Sequence, residues 1–314
     1  MRYCQGESMK NAKILKIIAV ASVLFVVMAI LPVQALTSSD ETIGVPAGAM
    51  TFDELRSIIS QSANKDTIEN NIEYEVCVET ADAWQLPPEI VEKMTKEDLN
   101  KLACLPDYFT PNQMSTEGIT YNSGGQMLLD ETTHVVKTIV IIDEEAYNYY
   151  ASNEPWFATW EGCCAWANNI LEGGDDYLEI PFGIDFQAQS QYYSYWETPD
   201  DMDYYDLLDE IDGVDPTGVG CDVIVLMTGQ SGGSIVGLAN RMGHHFLMNA
   251  AASGWPYYIP VANLFQHEAS HLYDCSDHGY DQTYCIMSYT YQWQTRGYCT
   301  GCTTQINLNC ARFD

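Results

Sequence analysis

The chain has 314 residues, 46% of them hydrophobic and 12% aromatic, which is enough for a packed core and too much for wholesale disorder. Its 44 acidic side chains against 13 basic ones leave a formal charge of −31, a balance that argues against nucleic acid or anionic membranes as partners. The acidity fits a heavily hydrated surface, and no twelve-residue EF-hand loop is present to make it a calcium site.

The first 35 residues read as a secretory signal peptide. Arg2, Lys10, Lys13 and Lys16 precede an unbroken apolar run over 17–31, and small residues follow near Ala35. The run is short for a membrane span of ~20 residues, so a secreted protein is expected; an uncleaved anchor facing outside is the alternative, and only that would involve a membrane. Export makes the ten cysteines beyond Cys4 an even set that reads first as disulfides.

Residues 36–130 are expected to form a propeptide or N-terminal extension. They are polar and lack strong strand signals. Thr95, with Asp98 as its capping-box partner, would start a short helix over 96–104, and YNSGG at 121–125 resembles a linker. Regular patterning begins near residue 131 and defines the main domain, 131–314. VVKTIVII (135–142) is a buried strand. After Asn153 as a cap, Trp156, Trp160, Cys163, Ala167 and Leu171 recur at helical spacing, and Gly173 and Gly174 should stop that helix. YLEIPFGIDFQ (177–187) alternates like a strand, with Pro181 marking an edge or bulge. DDMDYYDLLDEIDG is a short acidic helix ending at Gly213. CDVIVLMTG (221–229) is a central strand, SIVGLAN (234–240) follows it, and a helix covers 261–273. This order defines an α/β fold.

That last helix carries HEASHLYDCSDH, residues 267–278. Positions i and i+4 share a helix face, so His267 and His271 would aim their imidazoles at one ion. Glu268 lies a quarter turn round, poorly placed to ligate but able to reach a water on that ion as a general base. Val261, Phe265, Ala269 and Leu272 cover the opposite side. A third ligand is needed, with one position open. Asp277 and His278 both lie just past the helix. His278 is the preferred donor, with Asp277 then its hydrogen-bond neighbour, and Asp277 is the alternative ligand. His244 and His245 lack ligand spacing. The edge strand over 235–240 would pair antiparallel with an extended peptide, or simply complete the sheet.

The thermolysin-like plan takes its third ligand from a later glutamate, and no glutamate follows Glu268. The stretch instead resembles the metzincin zinc endopeptidases, in which a glycine lies seven residues after the first ligand and a third ligand ten after it. Here those places hold Asp274 and Asp277. Asp274 must then tolerate a left-handed backbone, which aspartate does better than most residues. CIMSY (285–289) resembles the methionine turn of that family, with Met287 as the apolar floor beneath the metal and Tyr289 where some branches place an oxyanion-stabilising tyrosine, although in a chain with 21 tyrosines a packing role is the preferred reading. DVIVLMTG and IVGLAN resemble strands of the reprolysin-like branch. CIM with the later CTGC resembles archaemetzincins, whose cysteines hold a second, structural zinc. Cys275, Cys285, Cys299 and Cys302 would serve so here, although a pair of disulfides is preferred in an exported chain. Cys104 lies in ACLPDYF, which is similar to the zinc-blocking segment of latent metalloproteases but one residue short; a Cys77–Cys104 disulfide is the preferred reading.

The resemblance implies a twisted mixed sheet with an active-site helix and a small C-terminal subdomain. It further implies an exported zinc-dependent endopeptidase, made as a zymogen, that acts on peptide or protein substrates. The alternative is a non-catalytic extracellular surface or adhesion protein stabilised by zinc.

Overall fold

The computed structural model describes residues 44–62, 74–80, 133–153, 159–199, 202–231, 234–250, 261–281, 283–292 and 295–314. The signal segment, the helix expected over 96–104, Cys104 and the linker at 121–125 lie outside them. Among the described residues no helix is long and apolar enough to cross a membrane.

Among the described residues the fold is mixed α/β, with eight strands in one mixed sheet and six α-helices. The strands are β1 (Met50–Thr51), β2 (Glu75–Thr80), β3 (His134–Asp143), β4 (Ile184–Ala188), β5 (Ser194–Trp196), β6 (Val223–Thr228), β7 (Ile235–Arg241) and β8 (His245–Asn249). The helices are α1 (Phe52–Ser62), α2 (Glu144–Asn153), α3 (Trp160–Phe182), α4 (Tyr204–Asp212), α5 (Val261–His271) and α6 (Thr300–Asn309). The sheet runs β1-β5-β3-β6-β8-β7-β2, with β4 alongside the first half of β3. β3, β6 and β8 are parallel neighbours at its centre, which is why VIVLMT is buried along its whole length. β7 returns antiparallel on β8.

Two apolar layers hold this sheet. One face packs α1 and α4 against Ile139, Ile141, Ile224, Leu226 and Leu247. The other carries the larger core, where α3 and α5 lie against Val140, Val225, Phe246 and Phe186. α4 begins at Asp203, whose carboxylate accepts from the backbone of Tyr205 and Asp206 in a capping box, and it ends at Gly213 as the sequence predicts.

Two expectations are corrected. Gly173 and Gly174 do not stop α3, which starts at Thr159 rather than Asn153 and continues through Pro181 to a left-handed Gly183. The stretch 177–182 is therefore helical, and only 184–188 forms a strand. Gly174 serves packing instead: a Cβ on it would stand 2.9 Å from the Phe265 Cβ and run into its ring. Helix propensity, a matter of ~1 kcal/mol, yields to close approach of α3 and α5. Gly174→Ala should accordingly lower stability by about 1–2 kcal/mol in urea unfolding, since overpacking beside a fully buried Phe265 outweighs the gain in helix propensity. The described residues of the N-terminal extension contribute to the sheet, β1 beside β5 and β2 beside β7, and α1 buries Phe52, Leu55 and Ile59 in the core.

Candidate metal centres

α5 is amphipathic in an unusual sense: both its faces are buried. Val261, Leu264, Phe265 and Ala269 enter the apolar core, with the Phe265 ring edge-on to Phe186 and Phe246 at 5.5 and 5.3 Å. Its polar residues are met by the chain returning over 286–298. Asn263 donates to the Gln292 carbonyl (3.1 Å), Gln266 to the Arg296 carbonyl (2.7 Å), and the Ser270 hydroxyl meets the Tyr298 hydroxyl (2.7 Å). The buried Arg296 closes this clasp, donating to Gln266 Oε1 (2.8 Å) and to the Gly174 carbonyl of α3 (2.9 Å). Hydrogen-bonded on one side and packed on the other, α5 has a fixed rotation about its axis.

His267 and His271 sit one turn apart, rings 4.9 Å between centroids. Each Nδ1 points at a backbone carbonyl, His267 at Ile286 (3.0 Å) and His271 at Cys275 (2.8 Å). A carbonyl only accepts, so both Nδ1 atoms carry the proton and both Nε2 atoms are left for another partner. The Ile286 carbonyl belongs to the turn holding Met287, which is fully buried in the same core. The resemblance-derived turn thus supports the first histidine through its neighbour's backbone.

The Nε2 atoms converge on acids. His267 Nε2 is 3.1 Å from Asp277 Oδ1 and 2.9 Å from Glu79 Oε1, and His271 Nε2 is 3.5 Å from Asp277 Oδ1. Candidate ligand atoms of Glu79, His267, His271 and Asp277 all lie within 4.8 Å of one another. Burial, with the Glu79 and Asp277 carboxylates nearby, pushes the pKa of the Tyr289 phenol up. Glu268 is fully buried beside them, and neither carboxylate oxygen has a hydrogen-bond partner among the described residues. Burial raises its pKa, and the charges of Glu79 and Asp277 add to the rise. Burial likewise lowers His271 to about 4. Burial opposes a charge on Asp277, but the hydrogen bond from His267 and the two imidazoles hold its carboxyl below the usual range. Three carboxyl groups and two imidazoles thus share a largely buried site, a donor set that suits a divalent cation.

Asp277 and His278 part company. The segment after Asp274 is irregular, and the two adjacent side chains leave it towards different partners. Asp274 itself has φ 70°, the left-handed exit expected of it, and its carboxylate pairs with Arg241 at 2.8 Å. Asp277 then turns toward α5, while His278, the preferred ligand in the sequence, turns toward the cysteines. His278 Nε2 is 3.2 Å from both Cys299 Sγ and Cys302 Sγ, and Cys285 Sγ lies 3.8 Å from Cys302 Sγ. These four form a second group of candidate ligands. Hydrogen bonds to Cys285 and Cys299 raise His278 to about 10, and those with Cys285 and Cys302 hold the Cys299 thiol far below its normal range.

The nine described cysteines are all free, so the expected disulfides are absent among the described residues. Cys275 stands apart from the group, its Sγ facing the Cys302 carbonyl at 3.8 Å. His244 and His245 are also elsewhere: His244 contacts the Asp222 carbonyl, and His245 pairs with Asp212 at 3.0 Å. No family model matches the chain, and a search of curated proteins finds no match either.

Proposed function

We propose that the protein is an exported zinc-dependent endopeptidase of metzincin type, with a second zinc in a structural role. The observation that carries this reading is the convergence of two Nδ1-anchored imidazoles and Asp277 beside Glu268, a fully buried carboxylate without a hydrogen-bond partner among the described residues. Three protein ligands with a neighbouring general base suit a catalytic zinc. His267, His271 and Asp277 would hold that ion. His278, Cys285, Cys299 and Cys302 would hold the other. Their donor set is that of a structural zinc, and the 3.8 Å sulfur separation matches the edge of a tetrahedron with Zn–S of about 2.3 Å, whereas a disulfide requires ~2.05 Å.

A catalytic zinc, when bound, would acidify a water and polarise the scissile carbonyl. Glu268 would accept the water's proton and deliver it to the departing amine. The Tyr289 phenol would donate to the developing oxyanion. Main-chain groups of β7 would hold the peptide extended; in the structure that place alongside β7 belongs to β2. Metal analysis combined with casein cleavage tests the reading. Stoichiometric zinc and cleavage abolished by 1,10-phenanthroline are expected, and purified protein without stoichiometric metal would refute it.

A further inference from the structure

β2 lies in the position that the proposed function reserves for substrate. Its six residues pair antiparallel with β7 from Glu75 opposite Arg241 to Thr80 opposite Ile235, covering the edge of β7 that would otherwise accept an extended peptide. The pleat buries Cys77 and Glu79 and leaves Val76 exposed. Glu79, fully buried, brings Oε1 to 2.9 Å from His267 Nε2 and joins His267, His271 and Asp277 as a fourth candidate ligand. A catalytic zinc needs three protein ligands and one open position; a fourth carboxylate closes a tetrahedral set and leaves a water no place. Glu79 is paired opposite Gly237, whose backbone lies against the proposed general base: a Cβ on Gly237 would collide with the Glu268 carboxylate. The edge of β7 and the metal position are thus covered by one short segment.

We propose that Glu75–Thr80 is a built-in strap that holds the enzyme latent, bound in the direction of a substrate strand, with the Glu79 carboxylate as the blocking ligand. This rests on the endopeptidase reading and adds the regulation of that same site. Release of the strap from β7 frees the peptide-binding edge and the open coordination position together. Latency then depends on a carboxylate in the described cleft rather than on Cys104.

The test compares the full-length zinc-loaded chain, its Glu79→Gln variant, and Glu79→Gln combined with Glu268→Gln, using a quenched fluorescent peptide and zinc content as readouts. Glu79→Gln should cleave about tenfold faster or more than the unaltered chain, the factor expected when at least ~90% of molecules are closed. Zinc stoichiometry should be unchanged. A synthetic peptide of residues 74–80 should inhibit Glu79→Gln, and the same peptide with Gln at position 79 should do so at least about tenfold more weakly. Cleavage by Glu79→Gln no faster than by the unaltered chain, including none in either, would overturn the proposal. So would zinc lost with Glu79→Gln, because Glu79 would then be a permanent ligand of a closed site. The endopeptidase reading fails separately, if the double variant cleaves as fast as Glu79→Gln alone.

Discussion

Replacing Glu268 by glutamine is expected to lower kcat/KM for peptide cleavage by about two to four orders of magnitude while zinc stays bound. The change keeps shape and volume and removes only the ability to take a proton. Glu268 makes no ligand contact with the imidazoles, which are anchored by the Ile286 and Cys275 carbonyls, so metal content should not follow activity. Stability should hold or rise, because an unpartnered, fully buried carboxylate is costly and an amide is less so. Activity of the variant within tenfold of the unaltered chain would remove Glu268 from the mechanism. Loss of zinc from it would instead show that the side chain shapes the ligand sphere.

The second large effect separates two adjacent residues. Asp277→Ala should empty the site on α5 and abolish cleavage, yet leave the thermal midpoint close to that of the unaltered chain stripped at that site. His278→Ala should lose the other zinc and lower stability sharply. That cluster joins the loop after α5, the Met287 turn and the first turn of α6, elements that share the core around the active helix. Structural zinc contributes on the order of 10–16 kcal/mol in small zinc-binding peptides, so one ligand of four corresponds to roughly 3 kcal/mol, a large part of an ordinary domain's 5–15 kcal/mol. Calorimetry with metal analysis on both variants checks this. If His278→Ala emptied the α5 site and Asp277→Ala did not, the two assignments would be exchanged.

The residues that proved legible in the chain are those whose partners lie one or two helical turns, or one strand, away. Periodicity placed α5, β3, β6 and β7, and the spacing of His267 and His271 put both imidazoles on one face, because that geometry is a property of any α-helix. The burden on Asp274 to adopt a left-handed backbone was equally local, and its φ of 70° agrees. A run of glycines misled because propensity is weak beside packing: Gly174 lies where Phe265, 91 positions later, needs the space of a Cβ. The short alternation EVCVET offered only a slight strand signal before β7 gave it a partner.

By itself, then, the amino-acid sequence determined the α/β class, the paired imidazoles and the adjacent Glu268, since each follows from backbone periods of 3.6 and 2. Only the tertiary structure decided that Asp277 joins those imidazoles while His278 joins three cysteines, that these cysteines stay reduced, and that Glu79 arrives from a strand far upstream. Those outcomes turn on the direction in which a side chain leaves an irregular segment and on which distant strand completes the sheet. Neither is encoded in local spacing, because both are set by contacts between residues that meet only when the chain has folded.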